Sequence, residues 1–325
     1  MDSNEDAAIM LRHLRKSYGQ VRALDGLSLA VPAGSITGLL GPNGSGKTTT
    51  IGILSTTVRP DRGQALVCGL DVTASPAAVR RLIGFAGQFA AVDANLTGRE
   101  NLRLIGRLSR LARPVARERA EELLEKFGLV EAAGRLVRGY SGGMRRRLDV
   151  AAALMHRPPV LFLDEPTTGL DPESRAQLWR LVAGLAADGT TVLLTTQYLE
   201  EADALADRVV IIDRGRVAGE GTPHELRKRV GSVVVRLEFA DADTAARAEH
   251  QLAARGYGPE RDGAALRLAS ANGSAAVVGA IRGLNGSGDP VAVEIREPSL
   301  DDVFFALTGN STGNSAGAGQ ERGAA

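Results

Sequence analysis

The chain is poor in cysteine and in aromatic side chains, has no excess of charge of one sign, and contains no long apolar run. One cysteine, Cys68, in 325 residues excludes an intrachain disulfide and fits a reducing compartment. Cys68 follows Val67 in a strand-like run, so it is expected as a small buried apolar side chain. Aromatic residues make up 4% of the chain, which leaves few stacking platforms for single-stranded nucleic acid. The 39 basic and 38 acidic residues nearly cancel, so the basic field expected of a nucleic-acid-binding domain is missing and no nucleic-acid partner is expected. No apolar run reaches the roughly 18 residues of a membrane span. The opening Met1-Asp2-Ser3-Asn4-Glu5-Asp6 is polar and acidic, unlike a secretory signal. The expectation is a soluble chain that can dock on something that is not. His13, His156, His224 and His250 are scattered without metal-ligand spacing.

Glycine, in contrast, is plentiful. Gly41-Pro42-Asn43-Gly44-Ser45-Gly46-Lys47-Thr48-Thr49 fits the P-loop pattern of glycine, four residues, then Gly-Lys-Thr. Apolar Ile36, Gly38, Leu39 and Leu40 predict a buried strand ending at Gly41, and a helix is expected from about Lys47. The glycines let the backbone take positive φ and approach phosphates closely. Successive N–H groups and the positive end of the helix then hold anionic oxygens. Lys47 is placed for the β- and γ-phosphates and Thr48 for Mg²⁺, with Thr49 beside it. A plain glycine-rich turn before a helix is the bland alternative, and the full strand–loop–helix context argues against it.

A second apolar run, Val160-Leu161-Phe162-Leu163, delivers Asp164 and Glu165, and Pro166 stops it. A Mg²⁺ site takes few protein ligands, often one or two carboxylates plus phosphate oxygens. Asp164 suits the metal, and Glu165 suits polarisation of an attacking water. The two motifs together imply binding of a nucleoside triphosphate with Mg²⁺, and its hydrolysis.

Between these motifs and after them the apolar pattern alternates. Strands are expected over 9–14 and 27–31, flanking a turn at Tyr18-Gly19, and over 64–68 and 83–86. Helices are expected over 98–111 and 117–127, separated at Arg113-Pro114, and over 142–155. The order then runs strand 160–163, helix 172–187, strand 190–196, helix 199–205, strand 209–213. Such repetition predicts a mostly parallel sheet covered by helices, with ligands at the carboxyl ends of its strands. Composition shifts near Gly231. Strands over 232–239, 264–268 and 291–295 and helices over 243–255 and 275–284 predict a small C-terminal α+β domain. Asp243 is the expected helix cap there. The fold class is therefore α/β, with an ATPase-like domain over 8–230 (its helical subdomain over 90–157), the small domain over 231–308, and a disordered Gly/Ser/Asn/Ala tail over 309–325.

Tyr140-Ser141-Gly142-Gly143-Met144, followed by Arg145-Arg146-Arg147-Leu148, opens a helix with a serine and two glycines, a second anion-binding helix start. With this motif the chain resembles the ATP-binding subunits of ABC transporters, over about residues 8–230. Methionine stands for the usual glutamine of the family signature and Tyr140 for the usual leucine. Tyr18 matches the aromatic that stacks on adenine. Gln88 matches the glutamine that links Mg²⁺ to the membrane partner. Gly169-Leu170-Asp171 matches the loop that meets a second subunit. Tyr140 to Leu148, Thr195-Thr196-Gln197-Tyr198-Leu199-Glu200-Glu201 and Arg296-Glu297-Pro298-Ser299-Leu300-Asp301-Asp302-Val303-Phe304 resemble the daunorubicin-resistance type of exporter ATPase, of the ABC-2 class.

The resemblance implies a P-loop NTPase fold with two ATPs sandwiched between two subunits, a homodimer in the simplest case. Each ATP would touch Lys47 of one chain and Ser141, Gly142 and Gly143 of the other. Glu165, Lys47 and Gln197 would carry the chemistry, and Thr48, Gln88 and Asp164 the Mg²⁺. It further implies a separate integral membrane permease, a location on the inner face of the cell membrane, and export of a drug or other hydrophobic small molecule. A soluble ATPase of DNA repair or translation and an importer ATPase are the alternatives. Histidine usually stands where this chain has Gln197, and glutamine can donate a hydrogen bond but cannot become cationic. Arg145, Arg146 and Arg147 are expected on a solvated or subunit-facing surface, and Trp179 in the core or at an interface.

Overall fold

The computed structural model describes residues 7–87, 91–230, 233–270, 284, 290–296 and 298–309. The chain divides into two compact units, Met1–Pro223 and His224–Ala325.

The first unit holds two sheets. Strands β1 (Ala7–Tyr18) and β2 (Val21–Pro32) form a long antiparallel hairpin, joined by β4 (Arg62–Val67) and β5 (Leu70–Asp71) in the order β2-β1-β4-β5. The second sheet contains β3 (Ile36–Leu40), β6 (Ile83–Ala86), β7 (Val160–Asp164), β8 (Thr191–Thr196), β9 (Arg208–Asp213) and β10 (Arg216–Gly221). Its order is β10-β9-β3-β8-β7-β6. Every pairing is parallel except the β9–β10 hairpin. Every residue of β3, β7 and β8 is buried, as expected for parallel strands covered on both faces.

Helix α1 (Lys47–Leu54) contacts β2 and β4 of one sheet and β7 of the other. Its Ile51, Ile53 and Leu54 share a core with Leu11, Leu14 and Leu27 of the hairpin and with Leu39, Phe162, Leu193 and Val210 of the parallel sheet. The phosphate motif is therefore anchored from both sides.

Helices α2 (Pro76–Leu82), α3 (Gly98–Leu108), α4 (Arg113–Lys126) and α5 (Gly142–Ala153) follow α1. Thr97 and Glu100 close α3 with a reciprocal capping box. Arg113-Pro114 opens α4 and does not merely separate two helices, because proline is tolerated in a first turn whose N–H groups lack intrahelical partners. Tyr140, 5% exposed, donates from its hydroxyl to Ala132 O at 2.7 Å. A Cβ at Gly98 would collide with that hydroxyl, so glycine at the start of α3 makes room for Tyr140. Helices α6 (Pro172–Ala187) and α7 (Leu199–Leu205) follow in this unit.

Helix α8 (Pro223–Val230) begins at the division, eight residues before Gly231, where the composition shifts. The second unit has an antiparallel sheet of β11 (Val233–Glu238), β12 (Glu260–Asp262), β13 (Ala265–Ser270) and β14 (Ala292–Arg296), in the order β12-β13-β11-β14. Helix α9 (Ala242–Ala254) lays Ala245, Ala248 and Leu252 in the same core as Val235, Leu237, Leu266 and Leu268. Its cap is Asp241, which accepts from Thr244 N at 2.7 Å; the expected cap, Asp243, lies inside the first turn. Helix α10 (Leu300–Thr308) starts with a Ser299/Asp302 capping box, and Arg296 pairs with Asp302 at 2.6 Å. The helix expected over 275–284 falls, except for Leu284, outside the described residues, as does the tail beyond Gly309.

Cys68 is exposed, contrary to the expectation of a buried side chain. It occupies the turn between β4 and β5 at φ 47°, not a strand. No described helix is long and apolar enough to cross a membrane.

Candidate nucleotide site

The parallel register collects the site on one edge. Leu40, the last residue of β3, pairs with Thr196, the last of β8. Thr195 pairs with Asp164, the last of β7. Gly41, Glu165 and Gln197 therefore leave the sheet side by side, at its carboxyl edge.

At Gly41 a Cβ would strike Ile212 O and Ser45 Oγ, and at Gly46 (φ 111°) it would strike Ala23 O. Glycine is required at both by close approach, and at Gly46 also by its backbone angle. Ser45 N donates to Pro42 O at 3.2 Å, and Gly215 N to Ser45 O at 2.9 Å, which fixes the loop. Gly46 caps α1 without any side-chain acceptor, so the cap residue leaves the N–H groups of the first turn to another acceptor. Ser45 Oγ is buried with no hydrogen-bond partner. Pro42 is half-buried, Asn43, Gly44 and Thr48 are exposed, and Thr49 is half-buried. A loop of unneutralised donors at a helix start, with an orphaned hydroxyl inside it, fits a polyphosphate.

Lys47 is 5% exposed, and its Nζ donates to Gly41 O at 2.7 Å and Pro42 O at 3.2 Å. Burial pushes the ammonium pKa down, and the charges of Glu165 and Asp164 push it back up. Phosphate motif and carboxylates thus share one electrostatic environment.

Asp164 is 3% exposed and accepts from Thr195 Oγ1 at 2.5 Å. Glu165 adopts φ 45°, a left-handed conformation that costs a non-glycine residue on the order of 1–3 kcal/mol. Its N–H donates to Thr195 O at 3.1 Å and to Thr195 Oγ1 at 3.0 Å. Its carboxylate accepts from Thr168 Oγ1 at 3.3 Å. Gln197 is half-buried in the bend between β8 and α7, and Arg175 Cζ lies 5.3 Å from the ring centroid of the adjacent Tyr198.

The other expected residues stand elsewhere. Tyr18, at the end of β1, is 49% exposed with Lys16 Nζ 5.4 Å from its ring centroid. Ser141 caps α5, accepting from Met144 N at 3.2 Å. Gly143 packs against Ser174, whereas Gly142 faces open space. Asp171 caps α6 through Ser174 N at 2.8 Å. Gln88 lies outside the described residues.

Arg146 corrects the reading of 145–147 as a solvated face. Its side chain is 11% exposed. Nε donates to Pro166 O at 2.9 Å, Nη2 to Asp164 O at 3.1 Å, and Nη1 to Gly87 O at 2.5 Å and Asp149 Oδ2 at 3.2 Å. The sequence offers one faint signal for this: Asp149 stands three residues on, at helical ion-pair spacing. Among the described residues no group of three or more His, Cys, Asp or Glu is arranged to hold a metal.

A phosphate cradle and a carboxylate edge on one parallel sheet make a P-loop ATPase. The added antiparallel sheet, and a helical segment that carries Ser141-Gly142-Gly143, narrow the class to an ATP-binding cassette. The ABC transporter family pattern matches residues 24–168. The chain is 50% identical over 318 residues to the daunorubicin/doxorubicin resistance ATP-binding protein DrrA of Streptomyces peucetius, covering 95% of each. It is 47% identical over 321 residues to the doxorubicin resistance ATP-binding protein DrrA of Mycobacterium tuberculosis, covering 95% of this chain and 96% of that one. A dimeric ATP-binding cassette solved in a post-hydrolysis state with ADP and Pi superposes with TM-score 0.60 at 27% identity, covering 66% of this chain and 98% of that one. The chain belongs to the ABC transporter family, as an ATP-binding and ATP-hydrolysing subunit of the daunorubicin-resistance type.

Proposed function

We propose that this chain powers export of a drug or other hydrophobic small molecule through a separate integral membrane permease, from the cytoplasmic face of the cell membrane. The observation that supports it is the 47–50% identity, over about 95% of the chain, to proteins named for daunorubicin and doxorubicin resistance. Two copies would pack head to tail with two ATPs between them, each held by Lys47 of one copy and Ser141, Gly142 and Gly143 of the other. Tyr18 would stack on the adenine, adding about 1–3 kcal/mol by analogy with base–aromatic stacking.

Within each site Lys47 would exchange the carbonyls of Gly41 and Pro42 for phosphate oxygens. Asp164 and the exposed Thr48 hydroxyl are hard oxygen ligands of the kind Mg²⁺ takes, and Gln88 would complete that set. Bound Mg²⁺ supplies neutralisation of charge on the transferring phosphoryl group. Glu165 would accept the proton of the attacking water, and Gln197 would donate to the γ-phosphate.

The test is in two parts. Lys47→Ala weakens nucleotide binding, whereas Glu165→Gln retains ATP and accumulates as a closed dimer; a Glu165→Gln chain with normal turnover removes Glu165 from the base role. The chain drawn from native membranes in mild detergent brings a polytopic protein without a P-loop, and cells making that pair accumulate less doxorubicin than cells making the Glu165→Gln pair. Recovery of ribosomes or nucleic acid alone, with membranes empty of the chain, overturns transport. A co-purifying solute-binding protein would point to import.

A further inference from the structure

Arg146 uses all three guanidinium nitrogens on protein acceptors. Two of them straddle Glu165: Nη2 holds Asp164 O at 3.1 Å and Nε holds Pro166 O at 2.9 Å. The residue between those carbonyls is the one in the left-handed region, at φ 45°. A strained backbone conformation persists only where its surroundings over-determine it. Here Thr195 accepts the Glu165 N–H, and one planar cation fixes the carbonyls on either side.

The same ion pair reaches a second segment. Arg146 Nη1 donates to Gly87 O at 2.5 Å, and Asp149 Oδ1 accepts from Ala91 N at 2.7 Å. Residues 87 and 91 bracket 88–90, so one Arg–Asp pair on α5 grips the chain on both sides of that stretch. Asp149 is 1% exposed at its side chain and lies 3.2 Å from Arg146 Nη1. An ion pair kept only for stability is often replaceable by apolar groups. This one instead directs its donors at three main-chain carbonyls, two of them flanking Glu165.

We propose that Arg146, oriented by Asp149, is a positioning residue for ATP hydrolysis, holding the Asp164-Glu165-Pro166 turn and the chain at Gly87 on one guanidinium. It acts through Glu165 and touches neither nucleotide nor water. The inference rests on the reading of Glu165 given above. It predicts a dependence that a merely structural residue would not show. Loss of Arg146 lowers the hydrolytic step while Glu165 is present, and has little left to remove once Glu165 is gone.

The test uses the full-length chain with Arg146→Met, Arg146→Lys and Asp149→Asn, each made with Glu165 intact and with Glu165→Gln. Three quantities are read: Kd for ATP, single-turnover hydrolysis rate, and Tm. Arg146→Met is expected to slow hydrolysis about 100-fold, a misplacement-sized effect, with Kd held within about threefold. Arg146→Lys, which keeps charge but loses the planar fork, falls between Met and wild type. Asp149→Asn, which keeps an acceptor for Ala91 N, costs less than Arg146→Met. With Glu165→Gln, adding Arg146→Met changes the residual rate by less than about twofold. A wild-type rate in folded Arg146→Met overturns the inference. So does a loss that persists undiminished with Glu165→Gln, or a Kd that weakens in proportion to the rate. If Arg146→Met does not fold, Arg146→Lys and Asp149→Asn are judged by the same criteria. A Glu165→Gln chain that hydrolyses ATP normally overturns the reading of Glu165 and this inference together; an inactive Glu165→Gln beside a fully active Arg146→Met overturns this inference alone.

Discussion

Thr195 Oγ1 donates to Asp164 Oδ1 at 2.5 Å and accepts the N–H of Glu165 at 3.0 Å. One hydroxyl on β8 thereby holds the Asp164 carboxylate and the main chain of Glu165, the residue that follows β7. Thr195→Val keeps the side-chain shape and removes donor and acceptor at once. Leaving buried partners unsatisfied costs about 1–3 kcal/mol, a fall in Tm of several degrees for a unit of this size. Hydrolysis should fall further than stability suggests, about 10- to 100-fold, because the Asp164 carboxylate loses its orienting donor and the Glu165 main chain one of its two acceptors. Thermal melting and single-turnover hydrolysis on one preparation measure the two effects. Serine at 195 should restore most of the rate, and a fully active Thr195→Val would show that the hydroxyl orients nothing that matters.

Gln197 leaves β8 two residues after Thr195, on the edge shared with Gly41 and Glu165. If its amide donates to the γ-phosphate, Gln197→Ala removes one preorganised donor, worth about 10²-fold or more in rate. Gln197→His supplies a donor that titrates, so the rate is kept within several-fold and gains a pH dependence near 6–7. The measurement is kcat against pH for the three proteins. Equal rates across all three would exclude a sensor role for position 197.

The buried strands and phosphate motif were legible because their signals are local. Strands β3 and β7 read as short apolar runs, β8 as an apolar Val-Leu-Leu flanked by β-branched threonines, and Gly41 to Thr49 is a contiguous pattern. Helix α6 is bounded by Asp171-Pro172, a cap and a first-turn proline, and its limits follow directly. Arg146 was not legible, because its function lies in carbonyls of Gly87, Asp164 and Pro166, 18 to 59 residues away in sequence. An arginine between two others reads as solvated until those backbones converge on it. Cys68 misled for the opposite reason: Val67 ends the strand, and the next residue turns at φ 47°. Strand β10 and helix α8, with their glycines and charges, carry no clear apolar period. The cap of α9 slipped from Asp243 to Asp241 because two aspartates two residues apart satisfy the same local rule.

The two signature glycines differ in what surrounds them. A Cβ at Gly142 meets nothing within 4 Å, whereas at Gly143 it falls on the Ser174 side chain. Ser174 in turn donates from Oγ to Asp171 at 2.6 Å. Gly143→Ala should therefore disturb the isolated chain, shifting Ser174 and lowering Tm. Gly142→Ala should leave Tm within a degree or two, since alanine suits a helix start at least as well. Its effect appears only if the surface meets a second subunit. Loss of ATP-dependent dimerisation by Gly142→Ala, with ATP affinity of the monomer intact, is the expected result. Dimerisation and hydrolysis unchanged by Gly142→Ala would place the composite contact elsewhere.

Glu201 introduces a pH dependence into the same region. It is fully buried on α7 and accepts from Trp179 Nε1 at 3.3 Å. Burial pushes its carboxyl above the ordinary value of 4.5, opposed by Thr196, Thr167 and Trp179 and by the charge of Arg175. The native state then holds a proton that the unfolded state releases, so between the two pKa values stability falls as pH rises. Below about pH 4.5 both states are protonated and the penalty vanishes; above the native pKa it is constant. Glu201→Gln removes the ionisation while keeping an acceptor for Trp179. Relative to wild type, the variant should gain nothing near pH 4.5 and become progressively more stable towards pH 8. The chain's one tryptophan reports on the same group, so a pH-dependent Trp179 emission should flatten in Glu201→Gln. Melting curves of the two proteins that run parallel from pH 5 to 8 would show that Glu201 has the same proton affinity folded and unfolded, and that its burial is offset by its neighbours.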